Sequence, residues 1–153
     1  MRALIQRVKK ADVRVEGDCI ARINAGLLVF LGVRRGDTER EAEYILRKLP
    51  LLRLFSDEKH PINRSLNDVG GEILLVSQFT LYGDLRSGNR PEFSEAAPPQ
   101  EAERLYEFVL NGLRALGISV QCGRFGADME VSLVNDGPVT ILLSREAEAS
   151  ALA

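Results

Sequence analysis

Two short stretches of the 153-residue chain hold groups able to do chemistry: Ser77-Gln78-Phe79-Thr80-Leu81 and Asn135-Asp136-Gly137-Pro138-Val139-Thr140. The first closes an apolar run beginning at Glu72 and ends in polar side chains just before Tyr82-Gly83-Asp84. At a strand end the sheet holds such groups still while the following loop leaves them open. The second lies between the β-branched, leucine-rich segments 131–134 and 139–143, so the region reads as strand, turn, strand. Gly137 takes a positive φ at no steric cost, and Pro138 fixes φ and removes an N–H, so carbonyl oxygens here are short of backbone donors. An X-Pro bond is the one peptide bond for which cis is cheap, and cis in a tight turn aims those oxygens in one direction. Taken singly, the second stretch also fits an ordinary hairpin turn, and the first fits strand-end hydrogen bonding.

Other chemistries lack their residues. His60 is the sole histidine, sits in a polar loop before Pro61, and has the character of a solvated side chain, which removes support for a Ser-His-Asp triad. GxSxG, GxxxxGK[ST] and HExxH are absent, and Gly123-Arg124-Phe125-Gly126 is short of a dinucleotide fingerprint. Cys19 and Cys122 are far apart and belong to no CxxC pair, so no zinc site or disulfide framework is expected and both read as small core residues. Neither a metal nor a cofactor is implied. A formal net charge of -2 argues against a general polyanion binder, so any nucleic-acid contact should be local. The longest apolar run, 27–31, is far too short to cross a bilayer, and a cytoplasmic protein is expected.

The elements that must position these stretches follow from periodicity. Segments 3–8, 13–15 and 19–23 read as strands, and 27–33 reads as a strand buried on both faces, giving an antiparallel meander. Thr38 with Glu41 has the form of a capping box, and Ala42, Ile45, Leu46 and Leu49 follow at helical spacing until Pro50. A strand is expected over 51–55, a polar loop with a short helical turn over 56–71, and a strand over 72–81. After a long loop, 84–99, a second helix places Ala102, Leu105, Tyr106, Val109, Leu113 and Leu116 three and four apart, with Gly117 at its end. Segment 118–122 and a terminal hairpin complete the sheet, and 145–153 reads as a frayed or disordered tail. The order predicts one α+β domain over 1–144, with a mainly antiparallel, curled or barrel-like sheet and two helices.

Together the two stretches resemble the paired signature of the D-aminoacyl-tRNA deacylases, proofreading enzymes that clear D-amino acids and glycine from mischarged tRNA. The resemblance extends to Leu4-Ile5-Gln6-Arg7-Val8, Gly26-Leu27-Leu28-Val29, Arg86 with Gly88, Arg90 and Pro91, and Gly123-Arg124-Phe125 through Asp128-Met129, in one register from Met1 to about Leu143. His60-Pro61-Ile62 departs from it, since many relatives carry a Gly-Lys-Met-like stretch there, which leaves that loop's shape open.

The resemblance implies a homodimer in which the bond matching Gly137-Pro138 is cis and its carbonyls enter the partner's pocket, where they meet the substrate's α-amino group. It implies that backbone N–H groups around Gln78 and Phe79, on the wall formed by Ser77, Gln78, Phe79 and Thr80, stabilise the oxyanion, with the terminal 2′-hydroxyl of the tRNA handling the proton. Thr80 is the rival candidate as a nucleophile, but without a basic partner it reads as a positioning residue. Phe125 and Met129 are implied to accept the terminal adenosine, a role an aromatic and a polarizable thioether suit. Arg86 and Arg90 are candidates for phosphates near the acceptor end, or solvated loop charge. A non-catalytic nucleic-acid-binding protein of the same fold and an editing domain for another mischarged amino acid also fit the residues.

Overall fold

The computed structural model describes residues 1–147. Its spine is β1 (Arg2–Val15), whose first half pairs antiparallel with β3 (Gly26–Gly32) and whose second half pairs antiparallel with β2 (Asp18–Ile23). Along its other edge β1 pairs antiparallel with β6 (Glu130–Ser144) for nearly its whole length. β3 then pairs parallel with β4 (Glu72–Ser77), and β4 parallel with β5 (Val120–Cys122), giving the order β2-β1-β3-β4-β5 with β6 against β1. The sheet is therefore mixed, nearly closed into a barrel, and carries the helices α1 (Glu39–Lys48), the single turn α2 (Leu66–Val69) and α3 (Pro99–Ala115).

Alternation along the strands makes two cores. Leu27, Val29, Leu31, Ile73 and Leu75 face Ile45 and Leu49 of the α1 region and Leu105, Val109 and Leu113 of α3. Their neighbours Leu28, Leu74 and Val76 face inward, against Val8, Val13, Ala21 and Ile23 across the curl of the sheet. β3 and β4 are thus buried on both faces, as continuous apolar runs require, each fully buried aliphatic side chain contributing about 1.5–3 kcal/mol. The expected capping box is present: Thr38 accepts from the backbone of α1 while the Glu41 carboxylate accepts from the Thr38 N–H at 2.8 Å.

Six expectations are corrected. The meander is not formed: 3–8 and 13–15 are one strand, β1, and β3 pairs with β1 instead of β2, while the segment through α1 and α2 crosses over and returns β4 parallel, so the sheet is mixed and not mainly antiparallel. Segment 51–55 is not a strand: Pro50 occupies the first turn of a 3₁₀ helix (Leu49–Leu51), where its missing N–H matters little, and only Phe55 makes a bridge, to Arg64. β4 ends at Ser77, and 79–82 wind into a 3₁₀ turn. The terminal hairpin is one strand with a bulge: Val8 opposes Asn135 and Gln6 opposes Thr140, so Asp136 through Val139 all face Arg7. Cys19 is exposed and not a core residue, whereas Cys122 is half-buried and packs against the core. At the expected tail, Arg145 donates its N–H to the Met1 carbonyl at 2.9 Å and Glu146 accepts from Arg2 Nε at 2.9 Å, so these residues are held; 148–153 lie outside the described residues.

Candidate active site

The Gln78 N–H extends the parallel ladder by donating to the Leu31 carbonyl at 2.9 Å, after which the chain turns away and the Leu81 N–H donates to the Gln78 carbonyl at 3.3 Å. The amides of Phe79 and Thr80 precede that first helical bond, as the opening amides of any helix do. Among the described residues neither has a hydrogen-bond acceptor. The pair of free donors is therefore Phe79 and Thr80, a correction to Gln78 and Phe79, because the Gln78 amide is consumed by the sheet. Beneath the turn, Arg2 donates to the Leu81 carbonyl at 2.9 Å and lies 4.5 Å from the centroid of the buried Tyr82 ring. Burial pushes the Tyr82 phenol up, with Asp37 and Glu146 adding to the effect.

Ser77, Gln78 and Phe79 form one wall of a cleft of about 620 Å³, and Phe125 and Met129 form another. Phe125 leans on Tyr106, with ring centroids 6.0 Å apart, and Tyr106 is anchored by its hydroxyl donating to the Leu75 carbonyl at 2.8 Å. Met129 lies over Gly123, where a Cβ would stand 2.7 Å from its sulfur. The remaining lining includes Arg35, Phe93, Ala96 and Pro98, none of which sequence reasoning singled out. They arrive because loop 92–97 is stitched to the end of β3, the Arg35 N–H donating to the Glu95 carbonyl at 2.8 Å and the Ala97 N–H to the Val33 carbonyl at 3.0 Å. Nothing local in the sequence signals that pairing.

The other candidates lie elsewhere. Thr80 is exposed, and its hydroxyl accepts from the Gln78 side-chain amide. Arg86 grips Asp84 through Nε and a terminal nitrogen, the latter at 2.6 Å, and this holds the Asp84 carboxyl well below the usual range, at about 2. Arg86 and Arg90 are exposed and outside the cleft lining. The Gly137-Pro138 bond is cis. Neither residue lines the chain's own cleft. Their bulge is braced by the buried Arg7, whose Nε donates to the Asp136 carbonyl at 3.0 Å while a terminal nitrogen donates to the carbonyls of Leu54 at 2.7 Å and Pro61 at 3.0 Å. His60 is exposed, 3.7 Å from an Asp57 oxygen. Among the described residues no three His, Cys, Asp or Glu side chains are grouped to hold a metal, and no helix is long and apolar enough to cross a membrane.

Fold and site define a class: a small, nearly closed mixed barrel whose strand end, followed by a turn with two free main-chain donors, lines an aromatic-rich cleft. Comparison with known proteins narrows it. A family model described as D-Tyr-tRNA(Tyr) deacylase matches residues 4–144. A D-aminoacyl-tRNA deacylase of Syntrophomonas wolfei subsp. wolfei is 54% identical over 146 residues, covering 95% of this chain and 98% of the relative. One from Roseiflexus castenholzii is 58% identical over 143 residues, covering 94% and 91%. Among solved structures, the c-Myc DNA Unwinding Element Binding Protein superposes with a TM-score of 0.89 at 42% identity, covering 96% of this chain and all of that one. The chain belongs to the D-Tyr-tRNA(Tyr) deacylase family.

Proposed function

We propose that this chain hydrolyses the ester joining a D-amino acid, or glycine mischarged on tRNA-Ala, to the terminal ribose of tRNA, and spares the L-aminoacyl ester. One coincidence carries the proposal: the family match runs through a cleft in which Phe79, whose amide is free, shares the lining with the aromatic and thioether pair Phe125 and Met129, and the free amide of Thr80 follows it in the same turn. Water attacks the ester carbonyl and the developing oxyanion accepts from those amides, each such donor lowering the barrier by about 3–4 kcal/mol. The carbon–oxygen bond to the ribose then breaks, the 2′-hydroxyl relaying the proton to the departing 3′-oxygen. Thr80, with only an amide donor beside it, positions the turn. Phe125 and Met129 take the terminal adenine, and Arg86 and Arg90 lie within a loop able to meet acceptor-end phosphates.

Chirality is sorted by main chain. In a homodimer, the carbonyls of Gly137 and Pro138 of one copy accept from the substrate ammonium in the other copy's cleft, and the rigid bulge fills the space an L side chain needs. Glycine, with no side chain, escapes that exclusion. The tRNA pool of translation puts this activity in the cytoplasm. A second reading, non-catalytic nucleic-acid binding, draws on the 42% identical neighbour, the c-Myc DNA Unwinding Element Binding Protein.

The test is ester release from D-tyrosyl-, L-tyrosyl- and glycyl-tRNA by the purified protein. Loss of the D-tyrosyl and glycyl esters alone is the expected result. Intact esters throughout would leave only binding, and loss of an L ester would point to editing of a different amino acid.

A further inference from the structure

Phe79 is required by the proposed chemistry to hold its amide still, yet it has little of its own to hold it. Its side chain is 54% exposed and its N–H has no acceptor among the described residues. What it does have is Phe93, whose ring meets it edge-on with centroids 5.0 Å apart at an interplanar angle of 67°. Phe93 is itself fixed by the backbone around it. Asp84 and Glu92 exchange both hydrogen bonds, at 2.8 and 2.9 Å, closing the loop between them, and the Ala96 N–H donates to the Phe93 carbonyl at 3.1 Å. The contact is also close-packed: a Cβ built on Gly83 would stand 3.1 Å from the Thr80 carbonyl oxygen, 3.2 Å from Phe93 Cε1 and 3.5 Å from Pro91 Cβ. Gly83 has φ -66, so no backbone strain demands glycine there; only the approach of the loop to the turn does.

We propose that Phe93 is a positioning residue for ester hydrolysis: through its edge-on contact with Phe79, backed by loop 84–93 against Gly83, it fixes the turn that presents the Phe79 and Thr80 amides. This rests on the deacylase function proposed above. Removing one oxyanion donor outright lowers kcat by about 10²–10³-fold, so loosening two without deleting either should lower it by about 10–100-fold. Because Phe93 acts on the donors, whose partner develops only in the transition state, the loss falls on kcat and not on KM.

The experiment compares F93A, F93L, F93Y and G83A with the wild-type chain on D-tyrosyl-tRNA, together with ¹⁵N relaxation of the Phe79 and Thr80 amides in the free protein. F93A should lose about 10–100-fold in kcat with KM within about threefold, F93Y should recover to within about threefold of wild type, and F93L should fall between. G83A, which wedges the loop from the turn with Phe93 intact, should lower kcat in the same sense, and with F93L it carries the test if F93A does not fold. The Phe79 order parameter should drop from about 0.85 toward 0.6 in F93A. Unchanged kcat, or a raised KM at unchanged kcat showing that Phe93 serves RNA binding, would overturn the assignment. If the wild-type chain cleaves no ester, the deacylase function falls, and the amide relaxation still decides whether Phe93 holds the turn: unchanged order parameters in F93A sink it.

Discussion

Replacing Arg7 with methionine isolates the brace beneath the Gly137-Pro138 bulge. Methionine keeps most of the apolar stem of Arg7, a residue only 8% exposed, so the loss is confined to the guanidinium, which donates to three carbonyls from separate segments: Asp136, Leu54 and Pro61. The Leu54 bond is buried, and leaving its acceptor unmet costs about 2–3 kcal/mol, whereas the part-buried acceptors of Asp136 and Pro61 regain water and cost about 1 kcal/mol each. The sum, about 4–5 kcal/mol, is a large share of the 5–15 kcal/mol that holds a typical domain together. D136N tests the bookkeeping, because it alters only the Nε–Oδ2 contact at 3.5 Å, on a side chain that is 41% exposed, and keeps the main-chain acceptor; it should cost less than about 1 kcal/mol. Urea denaturation at several protein concentrations measures both, the dilution series separating any contribution from association. A loss below about 1 kcal/mol for R7M, or equal losses for R7M and D136N, would refute the assignment of the brace to carbonyls. Where R7M still folds, its ratio of D- to L-tyrosyl ester hydrolysis should fall, since the bulge that excludes the L side chain is no longer held.

At Gly26 an added Cβ would sit 1.9 Å from the Glu72 carbonyl oxygen within the parallel β3–β4 pairing, where only backbone can yield; G26A should lose more than about 3 kcal/mol or fail to accumulate as folded protein, and a melting temperature near wild type would contradict this. T80V should hydrolyse D-tyrosyl-tRNA within about tenfold of wild type, whereas a terminal 2′-deoxyadenosine should slow the reaction by at least about 100-fold, and the reverse pattern would make Thr80 the nucleophile. The Asp84 carboxyl titrates at about 2 when folded, below its unfolded value, so its pairing with Arg86 stabilises the fold above about pH 4 and the contribution is lost as pH falls through about 2; the melting-temperature gap between wild type and R86Q should close over that window, and a gap unchanged at pH 2 would contradict it. Val134, Ile141 and Leu142 leave apolar side chains exposed along β6, and L142D should lower the sedimentation mass and the activity per chain together if the proposed dimer forms through this strand; loss of neither removes β6 from the interface.

Wherever burial is set by nearest neighbours along the chain, the sequence was legible. The doubly apolar run 27–33, the capping box at Thr38 and Glu41, and the three-and-four spacing from Ala102 to Leu113 are local signals, and each became the expected element. What failed depended on distant partners. The direction of β4 is decided by the crossover through α1, which residue pattern does not report. The residues 135–140 carry every mark of a hairpin turn, but β1 is long enough to pair with both flanks, so the turn signals serve a bulge within a single strand. Pro50 marked the end of α1 correctly, yet of the apolar residues after it Leu51 is exposed and Leu52, Leu54 and Phe55 pack individually instead of laddering.

The same division explains the site. Ser77, Gln78 and Thr80 stood out as polar side chains at a strand end, but a backbone donor is identical in every residue except proline, and which donors are free is a tertiary matter. Gln78 loses its amide to Leu31 because the ladder runs one residue past β4, so the free pair shifts by one to Phe79 and Thr80. The bulge at Gly137 shows the same dependence, since the oxygen of Asp136 is oriented by an arginine on another strand that is also tied to Leu54 and Pro61. Motif residues in such a site are therefore constrained less by what their side chains react with than by the backbone path they permit. Substitutions at the supports, Arg7 and Phe93, should accordingly damage turnover more than removal of the Thr80 hydroxyl does.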